Sequence, residues 1–201
     1  MKPLLLAVVV SVASLGGLAA RQAPAPPPTF RLFFLGHEVG AETDTVTPLP
    51  AGRRLQAASH FQDRATNVDL TASLDLDAKG SATHFLVKGR NYRLFTSDAE
   101  VTVESGRAHV RDLASERDID LAGRPFFPID NYAPIGGQEA LIRYWLARGR
   151  PAEIGAAPAG PVHIRSLGSR GPFERLAIEG VVWGTEDAWI DGTGALHGLT
   201  T

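Results

Sequence analysis

The fold class of this chain is indicated most clearly by residues 68–76, which read Val68-Asp69-Leu70-Thr71-Ala72-Ser73-Leu74-Asp75-Leu76. Apolar and polar side chains alternate along this stretch, and successive side chains of a β-strand point to opposite faces. The alternation therefore predicts a strand that is buried on one face and solvated on the other. The turn predicted at residues 77–80 ends in Gly80, which readily adopts a positive φ, and residues 83–88 return as the partner strand.

The same period of two recurs along most of the chain, from residue 30 to residue 121 and again from residue 162 to residue 199. We expect ten to twelve short strands that are joined by short turns. Such a pattern is typical of an antiparallel sheet that is strongly bent or closed.

Only residues 138–148 show clear helical periodicity, with four apolar side chains on one stripe: Leu141, Ile142, Trp145 and Leu146. Glu139 is predicted in the first turn and Arg148 in the last, where their charges complement the helix dipole. Gly149 is expected to take the left-handed conformation after the helix, and Pro151 prevents its continuation.

This single helix must bury its apolar stripe, and the apolar face of the sheet is the surface available to it. The sequence therefore predicts a mainly β fold, in which a curved antiparallel sheet or half-barrel of ten to twelve strands wraps on one α-helix. Residues 124–134 before the helix are predicted as a rigid, aromatic-rich connection. Residues 156–161 after it are predicted as a plain linker.

The N-terminus predicts export. Residues 1–20 have the charged start, short apolar run and small-residue cleavage zone of a signal peptide. Residues 21–28 form a proline-rich spacer, and residues 29–201 form a single β-rich domain. We expect a periplasmic or extracellular location and no stable membrane anchor, because the apolar run is too short and interrupted to span a bilayer. The chain has no cysteine, so it has no disulfide and no lipid-modified cysteine.

Charge excludes one class of partner. The formal net charge is −2, and the arginines are scattered among acidic residues. Nucleic-acid binding requires a clustered positive surface, so we expect no nucleic-acid partner. The chain stops at Thr201 inside a predicted strand, and we expect either one module of a larger protein or a last strand on a sheet edge.

Several segments resemble chemical sites only superficially. Residues 192–198 mimic part of a dinucleotide fingerprint, but they follow an Asp-Gly turn and lead into another strand, so a hairpin turn is favoured. A second group is close enough in sequence to surround a cation, yet it matches neither the zinc nor the calcium pattern: Glu186, Asp187, Asp191 and His197. The sequence therefore predicts no catalytic residue, no cofactor and no metal ligand.

Aromatic residues provide the remaining candidate site. Three tryptophans could line an apolar ligand or partner contact, with three further rings at its mouth: Trp145, Trp183, Trp189, Phe126, Phe127 and Tyr132. The competing interpretation is that these rings form the core, because each large ring buries about 150–250 Å².

Three segments resemble the β-rich N-terminal region that precedes the hydrolase domain in a group of secreted bacterial metal-dependent amidohydrolases. They are residues 30–42, residues 141–151, and residues 180–184 running on to 189–191. In that family a following barrel hydrolyses a C–N bond and holds metal through a His-x-His pair, further histidines, an Asp and often a carboxylated Lys. This chain has no His-x-His pair, so the resemblance implies an accessory module and carries over no catalytic residue.

The resemblance implies a hydrolase domain as the partner, either in the same polypeptide or in a separate one. An alternative is a stand-alone periplasmic carrier of an apolar, lipid-like ligand, because the predicted topology is also similar to the half-barrels of lipid and lipoprotein carriers. A small hydrolase in its own right is a third class, although the chain has no Gly-x-Ser-x-Gly elbow and no cysteine nucleophile.

Overall fold

The computed structural model describes residues 29–92 and 95–201, and in that part of the chain it has fourteen β-strands and one α-helix. The predicted signal peptide, residues 1–20, and the predicted spacer, residues 21–28, lie outside the described residues. Within the described residues, no helix has the length and apolar character that are needed to cross a membrane.

The larger sheet is an antiparallel meander in which each strand pairs with the next one along the chain. Its eight strands are β1 (Phe30–Phe34), β2 (His37–Leu49), β3 (Gly52–Asp63), β4 (Thr66–Asp77), β5 (Ala82–Tyr92), β6 (Phe95–Glu104), β7 (Arg107–Arg111) and β8 (Glu116–Asp120). Short turns join these strands, and Gly80 in the turn before β5 has the positive φ that the sequence predicts. The long β3–β4 and β4–β5 hairpins form the centre of the sheet.

The two faces of this sheet differ as the alternation predicts. On the inner face, Leu70, Leu74 and Leu76 of β4 are buried together with residues of β5, β6 and β7. On the outer face, charged side chains pair across neighbouring strands: Arg54 with Asp75, His84 with Glu100, and Arg111 with Glu100. The outer face therefore meets solvent, and the inner face carries the core.

A βαβ unit follows the larger sheet. Strand β9 (Phe126–Ile129) and strand β10 (Gly155–Pro158) pair in parallel, and helix α1 (Ile135–Ala147) connects them. The predictions of a connection at residues 124–134 and a linker at residues 156–161 are therefore wrong over these strands. Both strands have only four residues and contain proline, which removes the usual sequence signal of a strand.

The smaller sheet is a second antiparallel meander of four strands: β11 (His163–Arg170), β12 (Phe173–Glu179), β13 (Thr185–Ile190) and β14 (Leu196–Thr200). Strand β14 lies at an edge of this sheet. Helix α1 packs on β3 and β9, and its side chains also reach the smaller sheet, where Glu139 accepts a hydrogen bond from the Leu196 N–H. The helix thus lies between the two sheets and buries Leu141, Ile142 and Trp145.

The ends of helix α1 confirm one sequence prediction and correct another. Gly149 has φ +76°, and the N–H groups of Gly149 and Arg150 bond to the carbonyls of Leu146 and Trp145, as in a Schellman motif. The helix begins three residues earlier than predicted, at Ile135, so Glu139 lies outside its first turn. The carboxylate at the N-terminus comes from strand β2 instead.

Glu42 supplies that carboxylate. Its two oxygens accept hydrogen bonds from the Ile135 N–H at 2.9 Å and from the Gly136 N–H at 2.7 Å. These N–H groups have no acceptor inside the helix, and the negative charge also complements the helix dipole. The larger sheet therefore caps the helix that it supports.

The predicted mainly β fold with antiparallel sheets around one helix is confirmed. Two details differ from the prediction. The described residues form fourteen strands, more than the ten to twelve expected, and one strand pair is parallel. One contiguous core joins the inner face of the larger sheet, the βαβ unit and the smaller sheet.

Alanine substitutions at two adjacent glycines in the first turn of the helix provide a test of this cap. Gly136→Ala is expected to unfold with a free energy about 1 kcal/mol lower than Gly137→Ala, because its new Cβ would displace the carboxyl end of the Asp44 side chain beside Glu42. Gly137→Ala is the matched control, since no atom lies within 4 Å of its added Cβ and alanine favours the helix by about 0.5–1 kcal/mol. Urea unfolding measures both variants, and equal effects at the two positions would contradict the close approach of Asp44.

Candidate functional site

The structure does not bring the six predicted aromatic residues together. Phe126, Phe127 and Trp145 are buried in the core. The ring of Phe127 packs against that of Tyr144 at 5.4 Å between centroids, and Trp145 Nε1 donates a hydrogen bond to the Pro151 carbonyl at 3.0 Å. These three rings therefore belong to the hydrophobic core and do not line a ligand site.

The other three aromatic residues lie at or near the surface. Trp183 is 95% exposed. Trp189 is half-buried on the outer face of the smaller sheet, where the Arg175 guanidinium lies 5.8 Å from its ring centroid. Tyr132 is half-buried, and its backbone N–H donates a hydrogen bond to the Val181 carbonyl at 2.9 Å.

A small cavity lies between the inner face of the larger sheet and the βαβ unit. Its volume is about 10 Å³, and its lining includes Leu55, Leu74, Phe85, Phe127 and Ile129. That volume is about what one water molecule requires by this measure. Pockets for drug-sized ligands have volumes of about 300–1,000 Å³. The interior at this position is filled by the protein's own side chains.

The residues near the C-terminus that are close enough in sequence to surround a cation have separate structural roles. Asp191 closes the turn before β14 by accepting the N–H groups of Thr193 and Ala195, and it also contacts His197 Nε2 at 2.9 Å. These hydrogen bonds, with that from the Thr193 hydroxyl first among them, hold the pKa of Asp191 well below its usual range. Asp187 pairs with Arg175 instead. Among the described residues, no three His, Cys, Asp or Glu side chains group in a way that could hold a metal ion.

The histidines lie apart from one another on the protein surface. Five of the six are exposed, and His84 is half-buried in the charged outer face of the larger sheet. His109 lies between Asp118 at 2.8 Å and Glu116 at 3.1 Å. The hydrogen bond to Asp118 is the main cause that raises the pKa of His109.

Sequence reasoning missed a pair of acidic residues beneath the helix N-terminus. Glu42 is buried, and burial raises the pKa of its carboxyl group although the Gly136 and Ile135 N–H groups favour the charged form. Asp44 lies two residues further along β2, on the same face. Burial, together with the neighbouring Glu42 charge, raises the pKa of Asp44 to about 7.

Another buried acid approaches the same helix from the smaller sheet. Glu186 is 1% exposed, and Gln138 Nε2 lies 3.4 Å from its Oε1. Burial raises the pKa of Glu186 to about 7. A signal for this residue was present in the sequence, because alternation along β13 places Glu186 on the face of Ala188 and Ile190, which are buried.

Large apolar side chains gather at one end of the larger sheet. In a meander, the turns β1–β2, β3–β4, β5–β6 and β7–β8 all lie at the same end. Five of the exposed large apolar residues belong to these turns or to the strand ends beside them: Phe33, Phe34, Leu35, Phe95 and Leu113. The turns at the opposite end, residues 50–51, 78–81 and 105–106, carry no large apolar side chain.

Trp183 belongs to the same end of the molecule. Asn91, at the end of β5, donates a hydrogen bond to the Asn131 carbonyl, and the next residue, Tyr132, bonds to Val181. Val181 lies in the β12–β13 turn, two residues before Trp183. We call the six residues Phe33, Phe34, Leu35, Phe95, Leu113 and Trp183 the apolar end.

No protein-family model matches the chain, and no curated protein matches it. Among solved structures, the chain is similar to the crystal structure of a β-barrel-like protein of the domain of unknown function DUF1849 from Brucella abortus. The sequence identity is 13%, the match covers 80% of each chain, and the TM-score is 0.43. A likeness at this level carries no functional argument.

The raised pKa of Glu186 predicts how the free energy of unfolding depends on pH. The pKa of its carboxyl group is about 7 in the folded chain, compared with 4.5 for an ordinary glutamate. The folded state therefore binds the proton more tightly than the unfolded state. As a result, the free energy of unfolding falls as the pH rises from about 4.5 to about 7. Glu186→Gln removes this loss and is expected to raise the free energy of unfolding at pH 8 by roughly 2–3 kcal/mol, with little change at pH 4. Urea unfolding at both pH values measures the difference.

Glu104→Gln is the control for this experiment, because Glu104 is exposed at the end of β6. It should leave the pH dependence of stability unchanged. If the free energy of unfolding changes with pH by the same amount in the unaltered chain and in Glu186→Gln, then Glu186 does not titrate as its burial requires.

Proposed function

We propose that this chain is an exported, non-catalytic β module that supports or docks to a C–N hydrolase domain of the metal-dependent amidohydrolase type, in cis or in trans. The observation that carries the proposal is the filled interior, where the cavity beside the βαβ unit has a volume of about 10 Å³. With this space filled, the proposed module acts through its surface. The surface offers an apolar end on one side and a charged outer face on the other.

The three segments that resemble the amidohydrolase N-terminal region support the proposal. Residues 30–42 form the β1–β2 hairpin and include Glu42, which caps the helix. Residues 141–151 include the buried stripe of helix α1 and its C-terminal cap. Residues 180–184 form the β12–β13 turn that presents Trp183. The resemblance thus includes both the structural centre of the module and part of its exposed apolar surface.

The interior does not favour the alternative of a lipid carrier. An acyl chain needs a cavity of several hundred Å³, within the range of ligand pockets generally. Of the rings that were expected to line such a cavity, three are packed in the core, two are half-buried and Trp183 is exposed. The buried face of the sheet contacts the helix and the βαβ unit, and these elements occupy the space that a carrier reserves for its ligand.

The proposal requires a metal-dependent hydrolase that is encoded in the same reading frame or in a neighbouring gene. We expect that the hydrolase domain with the module, in cis or added in trans, unfolds several degrees higher than the domain alone, because binding to the native state raises its stability. Metal-dependent C–N bond hydrolysis should reside wholly in the hydrolase domain. Differential scanning calorimetry and an amide hydrolysis assay measure these two properties.

An unrelated exported β-sandwich domain at the same concentration is the control. Identical unfolding temperatures with and without the module, together with no co-migration in gel filtration, would contradict the proposed function. Hydrolysis by the module alone would contradict its non-catalytic character.

A further inference from the structure

Glu42 and Asp44 form a pair of carboxyl groups between the larger sheet and helix α1. They lie two residues apart on β2, so both side chains point to the same face of the sheet. The two groups are hydrogen-bonded to each other. The Asp44 carboxyl group also lies against Gly136, because a Cβ at that glycine would overlap Asp44 Oδ2. The helix therefore begins directly over both acids.

A hydrogen bond between two carboxyl groups requires one proton. A charged carboxyl group only accepts hydrogen bonds, whereas a protonated one donates through its O–H. Glu42 is the acceptor of the pair, because it already accepts the N–H groups of Ile135 and Gly136, which favour its charged form. Asp44 Oδ1 is buried and accepts no hydrogen bond. The proton of the pair therefore lies on Asp44, in agreement with the pKa of about 7 that burial gives this group.

The groups that face the pair would not neutralise a second negative charge. The residues opposite Glu42 and Asp44 on the neighbouring strands are uncharged: Phe30, Ala57 and Ser59. On helix α1, Glu139 is a further cause, after burial and Glu42, that raises the pKa of Asp44. Arg143 on the same helix pairs with Glu139 at 2.9 Å, and the group that approaches from the smaller sheet is the acid Glu186. Loss of the proton from Asp44 would therefore leave two like charges side by side in a largely buried position.

Two like charges at this position would act on the contact that holds the start of the helix. Repulsion between charged Glu42 and charged Asp44 is strong where water is excluded. Opening of the first helical turn admits water to both groups, and it breaks the hydrogen bonds from Ile135 and Gly136 to Glu42. The other end of the helix does not depend on these acids, because the Gly149 N–H bonds to the Leu146 carbonyl.

We propose that the Glu42–Asp44 pair is a pH-sensitive latch, which holds the first turn of helix α1 on the larger sheet while Asp44 carries a proton and releases that turn when the proton is lost. The closed latch binds the proton more tightly than the open chain does. Its closing equilibrium therefore weakens as the pH rises from 3.8, the ordinary pKa of an aspartate, to about 7.

Amide hydrogen exchange in the full chain tests the latch. The measured quantity is the protection factor, which is the exchange rate of an unstructured peptide divided by that of the amide at the same pH. We expect the protection factors of Ile135 and Gly136 to fall by roughly tenfold or more between pH 5 and pH 8, because one pKa unit corresponds to a tenfold change in an equilibrium constant. The Gly149 amide should change much less. Carbon NMR of the Asp44 carboxyl group should show titration near pH 7.

Asp44→Asn separates the latch from the other buried acids. The asparagine side chain donates an N–H to Glu42 at every pH, so the two amides should be as well protected at pH 8 as at pH 5. Asp69→Asn is the matched control, because Asp69 is an exposed aspartate of the same sheet, and it should keep the pH dependence of the unaltered chain. Glu186→Gln should keep it as well, because Glu186 contacts the helix through Gln138 and not through its first N–H groups.

Three results would overturn the latch. Titration of Asp44 near pH 3.8 would show that it carries no proton in the neutral range. Titration near pH 7 with unchanged protection of the two amides would show that the Asp44 side chain turns to solvent while the helix stays closed. An equal loss of protection in Asp44→Asn and in the unaltered chain would assign the opening to another group.

Discussion

The hydrogen bonds from the first turn of helix α1 to Glu42 are the contact on which the arrangement of the molecule depends. Glu42 precedes its donors Ile135 and Gly136 by 93 and 94 residues, so the contact ties the larger sheet to the helix that covers it. The other side of the helix contacts the smaller sheet through Glu139 and Gln138. Each sheet therefore holds the same helix through polar contacts in addition to the apolar core, and the position of the helix fixes the relation of the two meanders.

This arrangement places carboxyl groups inside the protein, where their charged forms are destabilising at neutral pH. Glu42, Asp44 and Glu186 approach one helix end from two sheets, and burial raises the pKa of each carboxyl group. The charged forms of Asp44 and Glu186 are disfavoured inside the protein, so the fold is expected to be more stable in mildly acidic solution than in alkaline solution. The helix N–H groups offset part of this cost at Glu42 because they favour its charged form. The fold is thus closed around its helix by one contiguous apolar core.

Much of the fold was predictable from alternation alone. Val68, Leu70 and Leu74 face the core as their spacing indicates, and Gly149 ends the helix in the predicted left-handed conformation. The short parallel strands β9 and β10 were not predicted. Each contains a proline, Pro128 or Pro158, which is unusual in a strand, and their pairing depends on how the helix between them packs. Of the predicted site, Trp145 belongs to the core because it lies on the buried stripe of helix α1, and Trp183 belongs to the surface because it lies in the β12–β13 turn.

The sequence by itself determined the local properties of this protein: most of its strands and their faces, its one helix, and the absence of cysteine. These properties follow from backbone periodicity and residue type, which act over a few residues. Only the tertiary structure decided that Glu42 caps the helix, that Glu186 is buried beside Gln138, and that Phe34, Leu113 and Trp183 share one end of the molecule. The physical reason is that these relations depend on strand order and helix placement, which bring together residues far apart in the chain and leave no periodic trace in the sequence.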